Sequence, residues 1–565
     1  MTSRMLTVTT LTRFAESEGS IAWLEEYYAP PMPTPVAPDR DGDRSGACVL
    51  TLHMGASGGV GEMRVAIWRR WSAVLSALAC LCSLGARAGG EPVPVVTPHR
   101  MTILGTTLAY TAEAGRVPIR DVASGEPVGY MFYLAYRVPQ VSGKRRALSF
   151  IWNGGPGTPS AVLNFEGAGP KRLQNGQMVD NADTWLTDSD LVFVDPVGVG
   201  FSRAVSEAAQ SDFTSNIGDV ASVTEFVRSW VLLHGDEDAP LVIAGESYGA
   251  GRAGSVAYRL LKRGMNVRAL ALISNTTGLP RYPGEETIAP AMHVGDYAVA
   301  AQYFKRLPPE LGTTPAAARA SAEKWAREVY IPALRRLEKL TADEKAKVIG
   351  ELARHIGLSP ADINPKTLSI TEGYFLGHIA HGYLPYYSDY RIRMPFKAPP
   401  LGAAIRYVRH ELGYPTDLPY LGVESLQDGF APSGTYPRTV NELWLHSTVY
   451  GATRKQVAEA EAQWEKKGLI GMGKFGPDLP GAADAIKLNP RLKILVAHGA
   501  YDPLGGCSMD AELSRHLLSP FREDITFRCY LSGHVIVRDA QARAQFAADM
   551  RALARAALAE QEVAR

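Results

Sequence analysis

Leu241 to Gly251 reads L-V-I-A-G-E-S-Y-G-A-G: apolar residues, then a serine with a glycine two places before it and two after. The apolar run is short and unbroken, as expected of a strand buried on both faces. From Gly249 to Arg263 small residues and helix formers take over, which predicts a helix. A strand that passes so abruptly into a helix leaves no room for a side chain at 245 or 249. Ser247, at the turn, then projects its hydroxyl from the edge of the sheet. The five-residue pattern alone is not selective. With 54 glycines in 565 residues, roughly 0.3 chance matches are expected. G-A-S-G-G around Ser57 is such a match. It follows a passable strand, V-L-T-L-H-M, but runs into G-G-V-G-E, with no helix behind it. Context therefore selects Ser247.

Outward from this turn, strands and helices alternate. Thr102 to Val138 alternates apolar residues with Gly and Pro breaks and reads as antiparallel strands, clearest in G-Y-M-F-Y-L-A-Y-R-V. Ala147 to Trp152 is a short buried strand ending in N-G-G-P-G, and Asp190 to Val194 is another. Ser215 to His234 carries apolar residues at helical spacing, and Val267 to Ser274 is a further strand. Leu492 to Ala497 and Ile525 to Leu531 resume the strands, and a helix follows Arg538. Strands alternating with helices predict an α/β fold: a mostly parallel sheet with helices on both faces. With the turn at Ser247, this is the α/β-hydrolase pattern. Residues 281–488 break it. Helical segments such as Pro315 to Leu340 and Thr453 to Lys467 predict a largely helical cap inserted between core segments 89–280 and 489–565.

A serine hydroxyl is a poor nucleophile near neutral pH, and needs an adjacent base that a carboxylate orients. In this fold the order is Ser, then Asp or Glu, then His, each at the C-terminal end of a strand. Asp502 follows L-K-I-L-V-A and the turn H-G-A-Y, and His534 sits in S-G-H after the next strand. Asp510 and Asp524 are weaker rivals, since neither directly ends a strand. The alternative readings are a helix N-cap for Asp502 and a loop histidine for His534. Acyl transfer also needs donors for a developing oxyanion. The N–H groups of Tyr248 and of Gly155, in the glycine loop, are placed for it. His378 and His381 have zinc-ligand spacing but no second ligand pair nearby, so neither a metal nor another cofactor is expected.

Together these runs resemble the serine carboxypeptidase family: W-N-G-G-P-G (Trp152 to Gly157), N-A-D-T-W-L (Asn181 to Leu186), D-L-V-F-V-D-P-V-G-V-G-F-S (Asp190 to Ser202), G-E-S-Y-G-A-G (Gly245 to Gly251), Y-D-P (Tyr501 to Pro503) and S-G-H (Ser532 to His534). The resemblance implies release of single residues from peptide C-termini. It implies that Asn153 and Glu246 hydrogen-bond the substrate's terminal carboxylate. Two like charges would then share a proton, which predicts a mildly acidic optimum for peptides. The family includes acyltransferases, so an esterase or acyltransferase on the same scaffold is the alternative. The chain departs from the family in having Ile151 two places before the motif asparagine, and T-P-S after the glycine loop. Glu166, in F-E-G-A-G-P, matches a supporting glutamate one residue further along than usual.

A formal net charge of +1 gives no reason to expect a nucleic acid or an acidic membrane surface as partner. Residues 1–62 include the Pro-rich, charged stretch from Ala29 to Gly46, which could not build a core. From Met63 a leader pattern begins: Arg64, Arg69 and Arg70, an apolar stretch from Trp71 to Leu84, and the cleavage signature Ala86-Arg87-Ala88. Residues 63–88 are therefore expected to be a signal peptide. This makes the chain a secreted or periplasmic, bacterial-type member with no stable membrane insertion. A lipoprotein reading through Cys80 lacks the usual leucine, and the remaining alternative is a cytosolic extension. Of five cysteines only Cys507 and Cys529 lie in the body, and sequence leaves their pairing open.

Overall fold

A computed structural model of the protein describes residues 93–563, apart from 104, 141–144, 396–400, 520 and 423–478, within which Trp444 and Lys455 are described. The expected leader, Ser57 and, apart from Lys455, the helical segment at 453–467 lie outside the described residues.

The run that decides the fold forms a strand in a ten-stranded sheet. Its strands are β1 (Val95–Ile103), β2 (Thr106–Arg120), β3 (Pro127–Arg137), β4 (Ala147–Trp152), β5 (Ser189–Val194), β6 (Leu241–Glu246), β7 (Val267–Ile273), β8 (Lys493–Gly499) and β9 (Ile525–Tyr530). Their spatial order is β1-β2-β3-β5-β4-β6-β7-β8-β9, with Arg203–Ala204 as a short tenth strand against β3. The pairings from β5 to β9 are parallel, while β1, β2, β3 and β5 pair antiparallel. This is the α/β-hydrolase fold. Trp152 pairs with Gly245, Ile273 with both Glu246 and Ala497, and Gly499 with Tyr530. That register brings the C-terminal ends of β4, β6, β7, β8 and β9 to one edge of the sheet.

Every residue of β4, β5 and β6 is buried, as two-sided packing requires. Alternation along β4 divides the core. Leu148, Phe150 and Trp152 face α1 (Asn216–His234) and α2 (Tyr248–Lys262), where Phe226 and Trp230 pack. Ile151 faces the helix Ala540–Val563 on the other side, with Phe546 in the same cluster. Ser215 caps α1, accepting a hydrogen bond from the N–H of Gly218 at 3.2 Å, and Gly235 ends it at φ 65°.

Between β7 and β8 lie α3 (Glu285–Tyr303), further helices at Pro315–Trp325, Ala342–Ile356 and Glu372–Ile379, and a hairpin of Pro385–Tyr386 with Asp389–Arg393. The segment read as helical from Pro315 to Leu340 is interrupted by a π turn at Ala326–Tyr330 and then short pieces. The break falls just before Pro332, which has no N–H to continue the ladder. Leu401, Ile405, Tyr407, Val408 and Tyr420 pack with Phe132, Tyr136 and Phe201. This part of the insertion therefore rejoins the face of the main sheet. Among the described residues, no helix is long and apolar enough to cross a membrane.

Candidate active site

Ser247 stands between β6 and α2 at φ 58°, ψ −127°, a conformation that costs a non-glycine residue energy and is kept where function needs it. Close packing enforces the turn. A Cβ on Gly245 would lie 1.9 Å from the Gly249 carbonyl oxygen, and one on Gly249 would lie 2.7 Å from the Asn153 carbonyl oxygen. The glycine loop rests directly on the turn. A Cβ on Gly154 would come within 2.5 Å of the Glu246 oxygen and 2.7 Å of the Tyr248 nitrogen. Gly154, the residue before the expected oxyanion donor Gly155, is thereby set against the backbone of Tyr248, the other expected donor. Arg252 braces this arrangement from behind. Its Nε donates to Asp219 at 2.6 Å and its Nη1 to the Asn153 carbonyl at 3.0 Å, while Asp219 also accepts from the Tyr248 hydroxyl at 3.1 Å.

Asp502 and His534 meet two strands away. Asp502 Oδ2 lies 2.7 Å from His534 Nδ1, and Asp502 Oδ1 accepts from the Leu504 N–H at 2.9 Å. His534 Nε2 is thus left for chemistry. Burial lowers the histidine's pKa, but the carboxylates of Asp502 and Glu246 outweigh it and hold the imidazole above its ordinary value. Neither rival aspartate reaches His534. Asp510 pairs with His498 at 2.6 Å, and Asp524 pairs with Lys493. His498 is buried, which lowers its pKa, yet Asp510 and then Asp502 raise it to about 9.

The histidine loop is tied down by residues that no sequence motif marks. Ser274, directly after β7 and at φ 56°, donates its hydroxyl to the His534 carbonyl at 2.6 Å. The His534 N–H donates to the Ser388 carbonyl at 2.7 Å, and the Tyr390 N–H to the Tyr501 carbonyl at 3.0 Å. Both partners come from the insertion. Cys507 and Cys529 are joined in a disulfide with a Cα separation of 5.6 Å, linking the segments that follow Asp502 and precede His534.

Asn153 and Glu246 lie together beneath Ser247. The Asn153 amide donates to Glu246 Oε1 at 2.8 Å, and its oxygen accepts from the Leu163 N–H at 3.0 Å. Glu246 is 4% exposed, and its Oε2 has no hydrogen-bond partner among the described residues. Burial pushes its pKa up to about 7 against the lowering influence of His534, Arg538 and Asn153. Glu166 reaches the same neighbourhood, but Arg538 engages both of its oxygens, at 2.6 and 3.2 Å. His378 bonds the Tyr374 carbonyl and His381 meets Arg306. Among the described residues no cluster could hold a metal. Ser274 and Arg538 carried weak signals: a small polar residue at a strand end, and a cation four residues after the histidine.

Comparison with known proteins agrees with the residues. Residues 112–270 match the family described as serine carboxypeptidase. The pheromone-processing carboxypeptidase KEX1 of Debaryomyces hansenii is 30% identical over 156 residues, 26% of this chain and 22% of that protein. The serine carboxypeptidase-like 50 protein of Arabidopsis thaliana is 30% identical over 181 residues, 30% of this chain and 39% of that protein. The chain thus spans well under half the length of these curated relatives. A solved prohormone-processing carboxypeptidase from Saccharomyces cerevisiae aligns over 78% of this chain and 91% of that one, with a TM-score of 0.43 and 13% identity. From the second strand of the sheet through the serine turn into β7, residues 112–270 of the chain are thus similar to the serine carboxypeptidase family.

Proposed function

We propose that this protein is a serine-type carboxypeptidase that cleaves the C-terminal peptide bond through an acyl-enzyme on Ser247. Ser247 Oγ attacks the scissile carbonyl while His534 Nε2 takes its proton. The oxyanion is received by the N–H groups of Gly155 and Tyr248. His534 then protonates the departing amino acid, and water repeats the sequence to release the shortened peptide. The observation that carries the choice of peptide C-termini is the buried Glu246 carboxyl beside Ser247, bonded to Asn153 through one oxygen, with its other oxygen unpartnered among the described residues. A substrate carboxylate placed there shares the glutamic acid's proton. The Cys507–Cys529 disulfide supports an oxidising compartment, hence the secreted or periplasmic placement implied by the leader pattern.

The deciding assay offers a blocked dipeptide with a free C-terminus and the same dipeptide amidated, followed by liquid chromatography. A carboxypeptidase strongly prefers the first. Slow turnover of both would favour the esterase or acyltransferase reading. For the free-carboxylate substrate, kcat/KM should decline above the Glu246 pKa of about 7, by about tenfold per pH unit. The amidated peptide needs no shared proton and should lack that limb. Equal alkaline limbs for both substrates would remove Glu246 from carboxylate recognition.

A further inference from the structure

We propose that Arg538, held by Glu166, forms a cationic wall of the pocket that receives the substrate's terminal carboxylate, so that this chain reads a peptide C-terminus with a fixed positive charge as well as with Asn153 and Glu246. This rests on the carboxypeptidase reading above. Two short turns build the wall. Arg538 ends the turn Ile536–Arg538, just after His534, and Glu166 lies in the turn Asn164–Ala168. The turns are in close contact: a Cβ on Gly167 would come within 2.4 Å of the Val537 side chain. Arg538 Nε donates to Glu166 Oε2 at 2.6 Å and Nη2 to Oε1 at 3.2 Å. Hydrogen bonds connect the wall to the carboxylate site: the N–H of Leu163, three residues before Glu166, donates to Asn153 Oδ1 at 3.0 Å, and the Asn153 amide donates to Glu246 Oε1 at 2.8 Å. The Arg538 and Glu166 charges both act on the Glu246 carboxyl across this link. The Arg538 charge also acts on Tyr386, in the hairpin whose Ser388 holds the His534 N–H.

A carboxylate entering beside Glu246 brings a negative charge to a site that already has Glu166 close by. Pairing Glu166 with a guanidinium neutralises that second acid and fixes a permanent positive charge in the wall. The bland alternative is an ion pair that only holds two turns together. The two readings differ in sign. If the pair is only a brace, Arg538→Gln and Glu166→Gln have the same effect. If the Arg538 charge acts on the substrate, removing Glu166 removes the negative charge that offsets it, and the effects are opposite.

The test measures KM and the kcat/KM pH profile for the free and amidated blocked dipeptides. Arg538→Gln should raise KM for the free peptide about tenfold to a hundredfold, the loss expected when a charged partner is removed. It should also move the alkaline limb to higher pH, because a cation beside Glu246 is gone. Glu166→Gln should lower that KM about threefold and move the limb to lower pH, as the loss of a nearby negative charge requires. Arg538→Lys, which keeps the charge but not the fork, should fall between Arg538→Gln and wild type and guards against a variant that does not fold. Arg555→Gln, which breaks a pair with Asp188 outside the site, should match wild type. If both pair variants raise KM alike and leave the limb unmoved, Arg538 is only a brace. If wild type shows no preference for the free carboxylate, the carboxypeptidase reading falls and this proposal with it. A retained preference that Arg538→Gln and Arg538→Lys leave unaltered overturns this proposal alone.

Discussion

The two ends of the site are held in different ways. At the serine end, backbone packs on backbone: Gly154, Gly245 and Gly249 each lie so close to a neighbouring main chain that no side chain fits. At the histidine end, backbone contact exists too, since a Cβ on Gly499 would meet the Gly533 carbonyl oxygen at 2.2 Å. There, however, the loops are also set by ties from elsewhere. The Ser274 hydroxyl, the Ser388 carbonyl, the Tyr390 N–H and the Cys507–Cys529 disulfide all hold them. One end is fixed by the absence of atoms and the other by individually replaceable bonds. Changes at the serine end should therefore cost the fold, and changes at the histidine end should cost rate.

The largest effect on rate should come from Asp502→Asn. The shape is kept, but the carboxylate that orients Nδ1 of His534 is lost, and kcat should fall by about ten-thousandfold with thermal stability near wild type. Gly245→Ala should do the reverse. Its Cβ would stand 1.9 Å from a backbone oxygen, so the cost should lie at or above the top of the overpacking range, about 3 kcal/mol, read as lost stability in denaturant. An alanine variant as stable as wild type would break the comparison at its firmer end. Next comes the disulfide. Replacing Cys507 and Cys529 by serine opens a loop of sequence separation 22, for which the chain-entropy account gives about 3 kcal/mol. Because the bond joins the segments carrying Asp502 and His534, kcat should fall further than stability alone explains. Unchanged kcat in the folded variant would show that the other ties suffice.

The same contrast explains what could be read from the sequence. The serine turn, the glycine loop and the buried strands were legible because close packing forces particular residues at fixed local spacing. Gly245, Gly249 and Gly154 are such residues. Asp502 and His534 were legible because chain order and strand ends place them, and their 2.7 Å contact fits that placement. Ser274, Ser388, Arg252 and Arg538 were not, since each acts on a partner at least 99 residues away in sequence. The cysteine pairing stayed open for a related reason: β8 and β9 must first set the Cα separation. The insertion was legible as helical but not as a packing partner. Spacing along Leu401 to Tyr420 does not reveal that these residues rejoin the face of the main sheet.

The smallest effect, and the most selective one, belongs to Ser274. Its hydroxyl donates to the His534 carbonyl at 2.6 Å from a buried position. Ser274→Ala leaves that carbonyl without the bond, worth about 1 kcal/mol and hence about fivefold in kcat if the histidine loop shifts as a result. The residue also sits at φ 56°, where alanine is as strained as serine but glycine is not. Ser274→Gly should therefore match Ser274→Ala in lost rate while being the more stable in denaturant, unless the entropy of the unfolded chain offsets the relieved strain. KM should stay the same in both, because neither change reaches Asn153 or Glu246. If kcat followed stability across the two variants, the tie to His534 would be structural only. Rate would then depend on the sheet edge as a whole, and the difference between the two ends of the site would narrow.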